Sequence, residues 1–136
     1  MRVIYMLLAD SVVPDPSGKA NMLGAGLDTI LALSFPCTHP SLALFGRLEV
    51  ALTECGHEHT LRVELLNPDG QIIGEPLAQV FTPERNLADP GRPSLMALIF
   101  QYIGLPFPAP GDYAFHILID NNEMVVVPLY LKQQPG

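Results

Sequence analysis

Apolar and polar positions alternate with a period of two through most of this chain, and proline and glycine break the alternation at short intervals. That period predicts strands buried on one side. It is clearest in LALFGRLEVALT, where Leu42, Leu44, Leu48, Val50 and Leu52 share one face while Arg47, Glu49 and Thr53 share the other. TLRVELL repeats it, with Leu61, Val63 and Leu65 inward and Thr60, Arg62 and Glu64 outward. Strands are expected over 2–13, 20–32, 42–54, 58–66, 71–81, 94–103, 112–120 and 123–132. No segment carries the 3.6-residue period of a charged, amphipathic helix. The expected fold is all-β, a two-layer antiparallel β-sandwich of about eight strands forming a single domain over 1–136.

The connections are legible in part. NPDG at 67–70 combines a proline with preset φ, a turn-forming aspartate and a glycine suited to positive φ, so a hairpin should follow it. TPERNLADPGRP at 82–93 is the most polar stretch and is expected to be a long exposed loop. SLMALIFQYI is almost continuously apolar, as in a central strand covered on both faces, with a buried helix as the alternative.

PGDYAFHILIDNNEMVVVPLYL predicts a hairpin turning at Asn121 and Asn122, with Tyr113 opposite Tyr130 and Phe115 opposite Pro128. The other face of that hairpin then carries Ala114, His116, Leu118, Val125, Val127 and Leu129. A strand pair apolar on both faces needs a cover, either the chain's own loops, including GLPFPAP, or a second subunit. These six residues are therefore the expected interface, and a homodimer is the expected assembly. Tyr113, just after PGD at a strand start, fits the tyrosine corner of Greek-key sandwiches.

Both cysteines and three of the four histidines lie in CTH at 37–39 and CGHEH at 55–59. The first is framed by Pro36 and Pro40, which predicts a loop. The second should be the tip of a hairpin joining 42–54 to 58–66, in one of two registers. With Gly56 and His57 central, the turn is favourable but Glu49 faces Glu64. With Cys55 and Gly56 central, Glu49 faces Arg62, at a cost of about 1–2 kcal/mol for a left-handed Cys55 against about 0.2–1 kcal/mol per charge pair. Only the second leaves His57 and His59 side by side as an HxH pair, to which His39 or Cys37 could add a ligand for a divalent transition metal.

Composition narrows the function classes. With seven Lys and Arg against fourteen Asp and Glu, the net charge is −7, too acidic for nucleic-acid or anionic-membrane binding through clustered cations. Charged residues make up 15% of the chain against roughly 25% in an average domain, leaving much of the surface weakly polar. The apolar start MRVIYMLLAD reads as a strand and not a signal peptide, and no run is long enough to cross a membrane as a helix. Two cysteines with no sign of export predict reduced thiols in a cytoplasmic protein. GAG at 24–26 lacks the third glycine of a dinucleotide fingerprint, and no GxSxG elbow occurs. No cofactor is expected.

Ala9–Asp10 after the first strand, Gly18-Lys19-x-Asn21 and Gly24-x-Gly26-x-Asp28, with CGHEHTLRVELLNPDG and PGDYAFHILIDNNEMVVVPLYL further on, resemble a family of small bacterial proteins with a domain of unknown function. The resemblance spans nearly the whole chain. It implies an immunoglobulin-like or C2-like sandwich and a bacterial origin, and it transfers no catalytic residue. Gly18, Asn21, Gly24 and Gly26 are explained by turns and bulges; Asp10 and Asp28 are the least surprising places for a functional role. The expected function is a non-enzymatic binding or assembly module with a protein partner. The alternative is a metal-binding protein or metal-dependent enzyme using His57 and His59; a carbohydrate or small-ligand module is weakened by the absence of tryptophan.

Overall fold

The structure, a computed structural model, describes residues 1–135. Ten strands form in chain order: β1 (Arg2–Ala9), β2 (Ser11–Pro14), β3 (Ala20–Leu23), β4 (Thr29–Ala32), β5 (Cys37–Val50), β6 (His59–Leu66), β7 (Leu77–Phe81), β8 (Ser94–Phe107), β9 (Gly111–Ile119) and β10 (Asn122–Gln133). The only helical element among the described residues is one 3-10 turn, Leu52–Glu54. No helix among them is long and apolar enough to cross a membrane.

Two sheets face each other. One has the order β1-β5-β8, the other β4-β10-β9-β6-β7, and β2 and β3 form a separate ribbon. The core between the sheets joins Leu8, Leu42, Leu44, Leu48, Leu98 and Phe100 of the first to Leu61, Val63, Leu65, Phe115, Ile117 and Leu129 of the second. The alternation of Leu42–Val50 and of Leu61–Leu65 is the inward face in each case. Tyr102 packs on Phe115 with ring centroids 5.3 Å apart, and Phe107 meets Tyr113 edge-on at 5.2 Å. The Tyr113 hydroxyl donates to the Ala109 carbonyl at 2.7 Å, forming the expected corner between β8 and β9.

Ten strands replace the expected eight because two long runs divide. The run 2–13 breaks at Asp10, whose N–H donates to Leu23 O at 2.9 Å, and β2 folds back onto β3. The ribbon covers a second, smaller core of Ala9, Val12, Ala43 and Phe45 on the outer side of β5. The run 20–32 breaks at Gly24 and Gly26, both with positive φ. The N–H groups of Gly26 and Leu27 both donate to Leu8 O, and a Cβ on Gly24 would lie 2.1 Å from an Asp10 carboxylate oxygen. The Asp10 and paired-glycine pattern is thereby accounted for by close chain packing. β4 then joins β10 in parallel, so the second sheet is mixed and not purely antiparallel.

Two connections differ from expectation. β5 and β6 are not a hairpin: they belong to opposite sheets, so neither register drawn for them exists, and the chain between them crosses the sandwich. Alternation marks which side of a strand is buried but not which strand lies beside it. CTH lies within β5 and not in a loop: Cys37, Thr38 and His39 pair with Phe107, Pro106 and Leu105. Pro40 is tolerated there because β1 pairs with β5 only from Ala43 to Glu49, so the first part of β5 has one neighbour. NPDG turns as expected, with Gly70 N–H donating to Asn67 O at 2.9 Å and Gly70 at φ +78°. The strand beyond it is delayed to Leu77 by Gly74 and Pro76.

Candidate functional site

The crossover from β5 to β6 gathers a cluster of ionisable groups. After Val50 the chain makes the 3-10 turn, and the Glu54 carboxylate accepts from Ala51 N–H at 3.0 Å and from the Met1 amine at 2.7 and 2.8 Å. The amine, first, and the Ala51 N–H hold the Glu54 carboxyl below its usual range, against a smaller opposing effect of desolvation. At the start of β6 the His59 ring is largely enclosed. Its Nδ1 lies 2.7 Å from Asp120 Oδ2 and its Nε2 lies 2.9 Å from Glu54 O.

A carbonyl and a carboxylate only accept, so this geometry suits the imidazolium form, with hydrogen on both ring nitrogens. Consistently, the bond to Asp120 and then that to Glu54 O push the His59 pKa up. The same bond, together with Thr60 N–H donating to Asp120 Oδ1 at 3.0 Å, lowers that of Asp120. Both ring nitrogens are taken up by these two contacts. Cys55 is buried beside it, but its sulfur is directed to Ala51 O and Glu84 O at 3.5 and 3.8 Å and not to the imidazole. The cluster clamps the crossover to the turn between β9 and β10.

The other histidines do not converge on it. His57 is exposed in the crossover loop. His39 lies eleven residues before Val50 on the extended β5, hence more than about 30 Å from the crossover end of that strand. Cys37 is farther still, and both cysteines are free thiols. Among the described residues no three His, Cys, Asp or Glu side chains are grouped to hold a metal ion. A cleft of about 580 Å³ lies beside the crossover, lined by Cys55, Gly56 and the loop residues Thr82–Arg85 and Leu87. Gly56 N–H donates to Pro83 O at 2.8 Å and ties that loop down.

The expected interface on the terminal hairpin is rearranged. The turn residues are Asp120 and Asn121, with φ of 51° and 64°, and a bulge follows between Glu123 and Val125. Together they shift β10 by one residue, so Phe115 faces Val127 and Tyr113 faces Leu129. Val127 (8% exposed) and Leu129 (0%) are core residues and leave the expected interface. Ala114, His116 and Leu118 keep the outer face, where Val126 and Pro128 now stand opposite His116 and Ala114. Val125, at the bulge, is half-buried. That face is less apolar than expected, because His116 pairs with Glu123, and Arg62 Nε bonds Glu64 Oε1 at 2.6 Å on neighbouring β6.

The least satisfied surface is an edge. β8 was expected at the centre of a sheet, yet it terminates the three-stranded sheet and pairs only with β5. It is a strand, as the first of its two readings held. From Ser94 to Ile103 it contains no charged residue and no proline, and it exposes Leu95 (53%) and Ile103 (86%). The uninterrupted apolar run is the available signal for these residues, and it reads as a central strand covered on both faces.

These features define a small all-β, sandwich-like protein. By a family-model match over residues 4–132, the chain belongs to a family of unknown function, DUF6941. No curated protein matches it. Among solved structures it is similar to Pseudomonas fluorescens alkylpurine DNA glycosylase AlkC bound to DNA containing an abasic site analog, at 9% identity and a TM-score of 0.45. That match covers 93% of this chain and 30% of the glycosylase chain, so this chain spans under a third of its length.

Proposed function

We propose that the chain is a non-enzymatic binding or assembly module whose contact element is the open edge of β8. The observation that carries this reading is an edge strand of 14 residues, without charge or proline over Ser94–Ile103. Edge strands ordinarily carry lysine, proline, a bulge or a cover, because their free N–H and C=O groups invite another strand. The clamp around His59 supports the same reading from the other side: its histidine and cysteine are turned to backbone carbonyls and to Asp120, not to each other. Native mass spectrometry of the full chain, purified without added metal, tests the proposal. A protein complex free of stoichiometric metal and small molecule is expected. A bare monomer, or a monomer carrying either kind of ligand, contradicts it.

A further inference from the structure

We infer that the partner of β8 is a second copy of this chain, paired antiparallel to it about a two-fold axis at Ile99. The inference rests on the reading of the chain as an assembly module and names its partner. Four strands end the two sheets, and three of them are protected. β1 begins with Arg2, is bulged between Val3 and Tyr5 and abuts β10. β4 has four residues; β7 has five and follows Pro76. β8 is long and pairs with no strand but β5; the β2–β3 ribbon reaches only its outer face, where Gln101 Nε2 donates to Val12 O at 2.9 Å and Ile99 packs on the ribbon's core. A cavity of about 230 Å³ lined by Leu61, Gln79, Phe81 and Met96–Phe100 lies between β8 and the facing sheet.

Charge and side-chain order both point to self-pairing. Each copy carries a net −7, and two such surfaces repel, but Ser94–Phe107 has no Asp, Glu, Lys, Arg or His and lets two copies meet without like charges in contact. In an antiparallel pair about Ile99, Leu95 stands opposite Ile103 of the second copy, so the two most exposed apolar side chains of the strand cover one another. On the inner side Leu98 stands opposite Phe100 of the second copy. Ile99 is the midpoint between Ser94 and Gly104, where φ of +68° interrupts the extended backbone. This register therefore uses the whole uninterrupted edge, about 35 Å long, and doubles the three-stranded sheet into one of six strands.

Site-directed cross-linking with a short bismaleimide tests the register, in a Cys37→Ser background that removes the half-exposed native thiol. Leu95→Cys and Ile103→Cys combined in one chain should give a covalent dimer, because directly opposed Cβ atoms lie about 4.5–5.5 Å apart. Either substitution alone should give at least tenfold less, since identical positions are then about 27 Å apart across the axis. Both residues are exposed, so the variants should keep the fold, which circular dichroism checks. Equal cross-linking by the single variants, or none by the double variant in a chain that is dimeric, overturns the inference and leaves the module reading standing. A bare monomeric wild type overturns both.

Discussion

His59 and Asp120 join the sheet crossover to the terminal hairpin through a contact of 2.7 Å between Nδ1 and a carboxylate oxygen. Asp120 occupies a left-handed turn position and also accepts from Thr60 N–H, so one side chain fixes the turn, β6 and the crossover together. The raised His59 pKa makes this contact a stabilising one that is fully present below about pH 6.5 and lost as pH rises through the higher folded-state value. The lowered Asp120 pKa makes it present above about pH 3.9 and lost as pH falls through the folded-state value below that. Wild type should therefore exceed His59→Gln in Tm most strongly between about pH 4 and 6.5, with the gap narrowing towards pH 9. Asp120→Asn, which keeps a residue tolerant of the left-handed turn, should reduce that pH dependence to the part that the Glu54 carbonyl and carboxylate sustain. Thermal melts across this range decide it; a constant gap would contradict the imidazolium assignment.

The shifted register of the terminal hairpin separates two adjacent valines. Val127 lies in the core and Val126 is 43% exposed on the outer face. Val127→Asp should cost several kcal/mol and leave little folded protein, since it buries an unpaired charge. Val126→Asp should stay within about 0.5 kcal/mol of wild type. Urea melts of both report on the register; the reverse order would restore the unshifted pairing.

Gly46 is required by close approach, not by backbone conformation. A Cβ there would lie 2.5 Å from Tyr5 O and 2.7 Å from the Met6 sulfur, between β1 and β5. Gly46→Ala should destabilise by about 1–3 kcal/mol through overpacking, seen as a lower urea midpoint with the same slope. Gly56→Ala meets no neighbouring atom and bears only the strain of its φ of +78°, about 1–2 kcal/mol.

Much of the class of fold was legible in single residues. Leu42, Leu44, Leu61 and Val63 show their inward face by alternation, Tyr113 its corner by following PGD, and Asn67–Gly70 its turn by residue type. Strand partners were legible where a turn signal joins them, β6 with β7 and β9 with β10; the separation of β5 from β6 was not, because it is decided across the sandwich by the connection Ala51–Glu58, whose path alternation does not encode. A single bulge near Met124 was enough to move Val127 and Leu129 from the outside to the core. CTH and CGHEH looked like parts of one site because sequence distance conceals the length of β5, which carries His39 away from His59. The apolar run at 94–103 signalled a strand but not its place: an uninterrupted run reads as the centre of a sheet, and β8 ends one.

The central claim is that β8 is completed by its own copy, and a charge swap measured by sedimentation velocity tests it most directly. Wild type should sediment at twice the monomer mass of 14.8 kDa, more tightly as salt screens the net −7 on each copy. L95K/I103K places lysines opposite one another at both ends of the paired edge and should weaken association about 100-fold or more. L95E/I103K, which sets glutamate against lysine at the same two places, should restore the dimer. A wild-type dimer unaffected by L95K/I103K, or one that L95E/I103K fails to recover, would contradict the account.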